Sequence, residues 1–164
     1  MIDSLGVDLG NVIIDHNGFG TTPEFFQSGD YNIIPPVSGV FDALSQLSKE
    51  RFGGNIFVAY NATDVADQKI TSWLEAHDFF QKTSVSRYRV RRTQNVRNKL
   101  SLCGFYKATH FIDDRLEVMS HLIGKVENLY LLRPQESEVE QYRCFLPYVV
   151  RVQTWQEILR LMLT

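Results

Sequence analysis

The feature that most constrains the fold of this chain is an alternation of short, continuously apolar runs with amphipathic segments of helical period. Four such runs are clear, and a weaker fifth follows near the C-terminus: residues 5–7, 56–59, 111–112, 129–132 and 148–150. Continuous apolar runs bounded by turn residues are typical of strands that are covered on both faces. The alternation therefore predicts a parallel sheet that lies between two layers of helices.

The segments between the runs have the 3.6-residue period of amphipathic helices. Apolar side chains follow that period at residues 40–47, 66–77 and 96–103. A last helix begins with a capping-box pattern from Thr154 to Glu157. Right-handed crossovers between such strands and helices give a doubly wound, Rossmann-like α/β fold, whose functional crevice lies beyond the carboxyl ends of the strands.

A length of 164 residues fits one α/β domain, so we expect residues 1–164 to form a single domain. Residues 15–36 are rich in Gly, Thr, Asn and Pro and have no clear period. They predict a long loop or small hairpin that covers the end of the first strand as a flap.

Composition narrows the environment and the partners. The net charge of −2 argues against nucleic acid as a ligand. No apolar run approaches the roughly 20 residues that a membrane span requires. Cys103 and Cys144 match no metal or redox motif, and the acidic N-terminus does not resemble a secretory signal. Together these features predict a cytoplasmic protein.

Three carboxylates follow two of the predicted strands. Asp8 comes directly after the first strand, and Asp113 and Asp114 follow the run at residues 111–112. If the two strands are neighbours, the carboxylates meet at one edge of the sheet, where their repulsion calls for a hard cation such as Mg²⁺. The alternative is that the pair only caps the next helix, which begins near Arg115. The matching carboxylate on another strand favours the metal site.

Two basic features bear on the same edge. Lys99 lies at the border of the apolar face of its helix, from where it either reaches a polar pocket or stays solvated. Residues 87–92 contain four arginines, which suit contact with phosphate, and Tyr88, which suits stacking on a base. The same alternation fits a strand with Tyr88 and Val90 pointing inward, so both interpretations stay open.

Residues 7–13, VDLGNVI, resemble the first motif of the haloacid-dehalogenase-like superfamily, in which an Asp nucleophile ends the first strand. Residues 109–118, THFIDDRLEV, resemble its fourth, acidic motif, and Lys99 lies where the family has the basic residue of its third. The resemblance covers the chain from Asp8 to about Leu132. A receiver domain would have the acidic pair and the phosphoacceptor in the reverse order. The resemblance implies a Mg²⁺-dependent phosphomonoester hydrolase that acts through an aspartyl-phosphate.

The resemblance also implies the role of each matching residue. Asp8 would be the nucleophile, and Lys99 would offset negative charge on the nucleophile and the phosphoryl group. Mg²⁺ would be held by Asp8, the backbone carbonyl of Gly10, and Asp113 or Asp114. Of the last two, Asp114 aligns better with the usual metal-binding position of the family.

Two positions depart from the family pattern. Gly10 stands where the family has its general acid/base, and Asp15 and His16 are the nearby substitutes that the sequence offers. Tyr60 stands where the family has a Ser or Thr directly after the second strand. The candidates for binding phosphate are Tyr60 itself, Asn61, Thr63 and, from the basic segment, Arg92. Thr63 is equally well explained as the N-cap of the following helix.

These departures support a second hypothesis, a catalytically weak or inactive module that keeps the fold for binding or regulation. Dehalogenation is a third, and the acidic pair counts against it because that branch of the family does not need the pair. The intervals between motifs leave no room for an inserted cap domain. The resemblance therefore implies an open cleft that takes a small or a bulkier phosphorylated molecule, with space for a lid from another subunit.

Overall fold

The computed structural model describes residues 2–164, apart from the side chains of residues 23, 26 and 28. The strands are Leu5–Val7 (β1), Ile56–Asn61 (β2), Val90–Thr93 (β3), His110–Asp113 (β4), Asn128–Leu132 (β5) and Val150–Val152 (β6). All are parallel and form one sheet in the order β3-β2-β1-β4-β5-β6. The order reverses between β1 and β4, and open α/β sheets bind ligands at such a reversal.

Nine α-helices connect or flank the strands of the described chain: His16–Phe19 (α1), Pro23–Ser28 (α2), Val40–Leu47 (α3), Asp64–Ala76 (α4), Phe79–Thr83 (α5), Val96–Phe105 (α6), Leu116–Leu122 (α7), Glu136–Gln141 (α8) and Trp155–Leu163 (α9). Helices α3, α4, α5 and α9 pack on one face of the sheet, and α6, α7 and α8 on the other. The two layers follow from right-handed crossovers, because the strands progress in opposite directions on the two sides of β1. Within residues 2–164, no helix is both long and apolar enough to cross a membrane.

The centre of the sheet depends on a glycine in β1. Gly6 lies opposite Phe57 of β2 and Phe111 of β4. A Cβ atom added to Gly6 would lie 2.4 Å from the Phe111 ring and 2.6 Å from the Phe57 ring. The two aromatic rings therefore occupy the space above Gly6 that the side chain of any other residue would need.

The strands predicted from the first four apolar runs are confirmed as β1, β2, β4 and β5. The fifth is displaced, because Arg143–Tyr148 is a 3₁₀ helix and β6 begins only at Val150. Pro147 lies in that 3₁₀ helix and has no backbone N–H for a sheet ladder. The basic segment divides into a 3₁₀ turn, Arg87–Arg89, and the edge strand β3.

Residues 15–36 form neither the irregular long loop nor the small hairpin that the sequence predicts, so the predicted conformation is wrong. The segment contains α1, α2 and a 3₁₀ turn at Tyr31–Ile33, because its Asp and Thr residues act as helix caps. Trp73 of α4 and His77, which directly follows α4, hold it against the domain: Trp73 Nε1 donates to the carbonyl of Ile34 at 2.8 Å, and His77 Nε2 lies 2.7 Å from the carbonyl of Asn32. The segment reaches the carboxyl end of β1 with His16 and Tyr31.

Candidate active site

Three carboxylates meet at the point where the strand order reverses. Val7 of β1 lies opposite Ile112 of β4, so Asp8 and Asp113 leave neighbouring strands at the same edge of the sheet. One carboxylate oxygen each from Asp8, Asp113 and Asp114 can be chosen so that all three lie within 4.8 Å of one another. The condition on which the predicted metal site depends, that the two strands are neighbours, is met, and the residues form a cluster that could hold a metal ion.

Lys99 brings one positive charge into this cluster from α6. Its Nζ atom lies 2.9 Å from Oδ1 of Asp8 and 3.2 Å from Oδ2 of Asp113, and the side chain is buried. Burial alone would lower the pKa of the ammonium group, but the charges of Asp113 and Asp8 outweigh it and raise that pKa. Of the two interpretations of Lys99, the structure has the one in which it reaches a polar pocket.

One ammonium does not balance three carboxylates. Burial raises the pKa of Asp114 to about 8, and repulsion from Asp113 and Asp8 adds to this effect. Burial likewise raises the pKa of Asp8 to about 6, with repulsion from Asp113 added and the attraction of Lys99 opposing it. Both groups are therefore held away from their ionised forms, as expected where positive charge is lacking. A divalent cation fits the cluster because it would supply that charge.

The N-terminus of α7 is capped from a distant helix. The backbone N–H groups of Leu116 and Glu117 donate to the carboxylate of Glu138, at 3.0 and 2.7 Å. Of the acidic pair, Asp113 accepts one bond through Oδ1, from the N–H of Arg115 at 3.1 Å. The pair is therefore not needed to cap α7, and Oδ2 of Asp113 faces Lys99. Sequence reasoning missed Glu138, because no local pattern connects it to a helix that begins 22 residues earlier.

The carboxylates and Lys99 line a cavity of about 280 Å³. Its other polar walls come from the turn after β1, from the end of β2 and from the segment of residues 15–36. A larger groove of about 620 Å³ lies between β3 and α6. We place the chemistry in the smaller cavity, because it contains the buried charges and the strand-order reversal.

Tyr60 and Asn61 both line the smaller cavity, although they present different groups to it. The hydroxyl of Tyr60 donates to Oδ1 of Asp67 at 2.5 Å, and burial together with this bond raises the pKa of the phenol. The hydroxyl of Thr93 donates to Oδ1 of Asn61. This bond leaves the amide nitrogen of Asn61 as a donor at the end of β2.

The structure does not bring Thr63 or Arg92 among the described residues that line the cavity. Thr63 is the N-cap of α4, where its hydroxyl accepts from the N–H of Ala66 at 3.2 Å. The guanidinium of Arg92 donates to the carbonyl of Ala62 at 2.9 Å and pairs with Asp64 at 2.8 Å. It lines the larger groove, so its partners direct it away from the carboxylates.

The turn after β1 brings His16, one of the two candidate replacements for the general acid/base, close to Gly10. Asn11 has a left-handed φ of 60°, and its side chain accepts from the N–H of Asn17 at 2.8 Å, which holds α1 against the turn. A Cβ atom built on Gly10 would lie 3.7 Å from Cδ2 and 3.9 Å from Nε2 of His16. Burial lowers the pKa of His16, opposed by the charges of Asp15 and Asp8.

Comparisons with known proteins support the fold. No protein-family sequence model matches the chain, and no curated protein sequence matches it significantly. A candidate haloacid dehalogenase-like hydrolase from Burkholderia xenovorans is similar in structure, with a TM-score of 0.68, 13% identity, and coverage of 99% of this chain and 97% of that one. A dehalogenase solved as an intermediate complex has a TM-score of 0.68, 10% identity, and coverage of 99% and 98%. The chain therefore has the haloacid-dehalogenase-like fold, and the predicted fold class is confirmed.

Proposed function

We propose that the protein is a Mg²⁺-dependent phosphomonoester hydrolase in which Asp8 is the nucleophile. The observation that carries the proposal is the buried ammonium of Lys99 between Asp8 and Asp113, at 2.9 and 3.2 Å. Lys99 opposes the burial and repulsion that raise the pKa of Asp8, and so favours an ionised oxygen at the end of a central strand, where an incoming phosphoryl group would meet it. The fold and the order of the motifs agree with this assignment.

The reaction would proceed in two displacements at phosphorus. In the first, a carboxylate oxygen of Asp8 attacks, and the bond between phosphorus and the oxygen of the leaving alcohol breaks as that oxygen takes a proton. In the second, water attacks the aspartyl-phosphate, loses a proton, and releases inorganic phosphate and the free carboxylate. Lys99 offsets the negative charge that gathers between Asp8 and the phosphoryl oxygens in both displacements.

Mg²⁺ is proposed as the cation of the carboxylate cluster. Asp8, Asp114 or Asp113, and the carbonyl of Gly10 would hold it, since hard oxygen ligands of this kind suit Mg²⁺. When bound, the ion would supply positive charge against the phosphoryl oxygens. The raised pKa of Asp114, to about 8, supports this proposal, because it arises from burial and from repulsion by Asp113 and Asp8, and a bound cation would compensate for both.

The cavity also suggests how substrate would bind. The amide nitrogen of Asn61 is available to donate to a phosphoryl oxygen, because Thr93 occupies the oxygen of the same amide. A volume of about 280 Å³ lies at or below the usual range for pockets that enclose a whole ligand. The cavity would therefore hold the phosphoryl group, while the body of the substrate lies outside, as a small or a bulkier phosphorylated molecule.

The test is turnover of a panel of phosphomonoesters, with Mg²⁺ and with EDTA, by the wild type and by Asp8→Asn. We expect Mg²⁺-dependent release of phosphate in the wild type and background rates in the variant. Asp42→Asn is a matched control, because Asp42 is an exposed carboxylate on α3, and it should keep wild-type rates. Release of phosphate at the same rate by wild type and Asp8→Asn would contradict the proposal.

The second candidate is a binding or regulatory module that has this fold without turnover. The observation in its favour is the hydroxyl of Tyr60, which is bonded to Asp67 at the position where the family has a short hydroxyl. Negligible rates in the same assay, together with binding of inorganic phosphate in calorimetry, would support it. Release of halide from a 2-haloacid in EDTA would instead indicate a dehalogenase.

A further inference from the structure

The proposed hydrolysis needs a group that gives a proton to the leaving oxygen and later takes one from water. Most titratable side chains that line the cavity are committed to other partners. The ammonium of Lys99 lies between two carboxylates, the hydroxyl of Tyr60 is bonded to Asp67, and the guanidinium of Arg115 pairs with Glu117 at 2.6 Å. An arginine also does not release its proton in a protein.

His16 is the lining residue whose position suits this task. Its Cδ2 and Nε2 atoms lie 3.7 and 3.9 Å from the point where a side chain on Gly10 would begin. Gly10 is two residues from Asp8 in the turn that follows β1, so the edge of the ring that carries Nε2 faces the turn bearing the nucleophile. A cavity that contains both Asp8 and His16 allows a phosphoryl group on Asp8 to come within reach of the imidazole.

The ring of His16 is also held in place. The hydroxyl of Tyr31 lies 2.9 Å from Nε2, and the two rings are 5.5 Å apart. The bond from Asn17 to the side chain of Asn11 fixes the helix that begins at His16. A general acid needs this kind of restraint, because proton transfer depends on hydrogen-bond geometry.

Asp15, the other substitute, is engaged elsewhere. Its side chain caps α1 by accepting from the N–H of Gly18 at 3.0 Å, and it pairs with Arg133 at 3.4 Å. It lines a different cavity, together with Arg133 and the start of α9. Of the two candidate general acids in this segment, Asp15 therefore has a structural role, and His16 remains the candidate for proton transfer.

We propose that His16 is the general acid and base of this site, an inference that rests on the proposed hydrolase function. In the first displacement, the oxygen of the leaving group replaces the Tyr31 hydroxyl as partner of the protonated Nε2 and takes its proton as the phosphorus–oxygen bond breaks. In the second, the neutral Nε2 takes a proton from the water that attacks phosphorus. The bond from phosphorus to Asp8 breaks, and the imidazolium and the carboxylate are both restored.

The test compares kcat/KM for phenyl phosphate and 4-nitrophenyl phosphate, in Mg²⁺, for the wild type and His16→Gln. Phenolate leaves poorly without a proton, whereas 4-nitrophenolate leaves more easily, so loss of the acid should affect the first substrate more. We expect kcat/KM of His16→Gln to fall by about 10² or more for phenyl phosphate and by less than about tenfold for 4-nitrophenyl phosphate. Loss of the base should also make the phosphorylated enzyme accumulate, which intact-mass spectrometry after acid quenching would detect.

His77→Ala is the matched control. His77 holds the same segment in place through the carbonyl of Asn32, but it is not among the described residues that line the cavity. Loosening the segment should lower the rates for the two substrates by equal factors. An equal fall in His16→Gln, without accumulated phosphoenzyme, would overturn the proposal and leave His16 a structural role.

A second variant tests the position directly. In His16→Ala, addition of Gly10→Asp would place a carboxyl group where the imidazole edge was, and the position has no contact closer than 3.7 Å. We expect this double variant to regain at least about tenfold in turnover of phenyl phosphate over His16→Ala. The assays distinguish failure of the role proposed for His16 from failure of the proposed hydrolase function. An inactive wild type removes both, whereas an active wild type that needs Asp8 but loses both substrates equally in His16→Gln removes only the role of His16.

Discussion

The ammonium of Lys99 lies 2.9 Å from Oδ1 of Asp8, although the two residues are 91 positions apart in the chain. The contact joins the first turn of α6 to the carboxyl end of β1, on the side of the sheet where β4 ends. Because the pair is buried, its loss leaves a charge without a partner in a region of low dielectric. The contact therefore contributes to folding as well as to the proposed chemistry.

Lys99→Met removes this cation and leaves Asp8 facing Asp113. We expect the free energy of unfolding at neutral pH to fall by about 3–5 kcal/mol, the range found when one partner of a buried ion pair is removed. Urea denaturation would measure it. Lys125→Met removes an exposed lysine and should stay within about 0.5 kcal/mol of the wild type. Equal stability of the two variants would contradict the prediction.

The stability of the metal-free protein should fall as the pH rises. The pKa of Asp8 is raised to about 6 and that of Asp114 to about 8, so the folded protein holds protons that the unfolded chain has already lost. Below about pH 6.5 the histidines whose pKa burial lowers, His16 and His110, oppose this effect, because the unfolded imidazoles bind protons that the folded ones have lost. Above that pH the folded state still holds the proton of Asp114, so the free energy of unfolding decreases up to about pH 8. We expect a decrease on the order of 2 kcal/mol between about pH 6.5 and pH 8 in EDTA, measured by urea denaturation.

Excess Mg²⁺ should oppose this decrease. A carboxyl group must lose its proton to bind a cation, so Mg²⁺ should stabilise the protein more at pH 8 than at pH 5. Asp114→Asn should reduce both the decrease in EDTA and the effect of Mg²⁺, because it removes the carboxyl group with the more strongly raised pKa. The same stabilisation by Mg²⁺ at both pH values would count against a metal site in the cluster.

Glu138→Ala removes the cap of α7. Two backbone N–H groups, those of Leu116 and Glu117, would lose their acceptor, and we expect a loss of about 1–2 kcal/mol in the free energy of unfolding. Mg²⁺ affinity, measured by calorimetry, should weaken as well because the acidic pair directly precedes this helix. Glu140→Ala is the control on the same helix, since its pair with Arg143 is exposed and is expected to contribute less than about 1 kcal/mol. An equal effect of the two variants would exclude this role of Glu138.

Asn61→Ala tests the proposed contact with phosphate. Loss of one neutral donor should raise KM about tenfold, with a smaller change in kcat, because the amide contacts the phosphoryl group in substrate and transition state alike. Thr63→Ala is the comparison at the end of the same strand. Thr63 is a helix cap, so its variant should lose about 1 kcal/mol of stability and keep its KM. A larger rise of KM in Thr63→Ala than in Asn61→Ala would reverse the two assignments.

Much of the site follows from local pattern. The apolar runs place Asp8 and Asp113 at strand ends, because burial on both faces of a sheet demands continuous apolar residues and ends where polar residues begin. The basic segment that contains β3 is ambiguous in sequence, because its alternation of Arg with Tyr88 and Val90 fits a solvated strand as well as a phosphate-binding segment. Periodicity shows which face of an element is buried, but it does not identify the element that covers it.

Sequence alone determined the α/β alternation, the carboxylates at two strand ends and the lysine that accompanies them. Only the tertiary structure decided that β1 and β4 are neighbours, that Glu138 caps α7 and that His16 rather than Asp15 faces Gly10. Each of these depends on the direction of a side chain or on contact between segments far apart in the chain. Such contacts depend on packing and hydrogen bonding across the whole domain, so a local pattern of residues does not predict them.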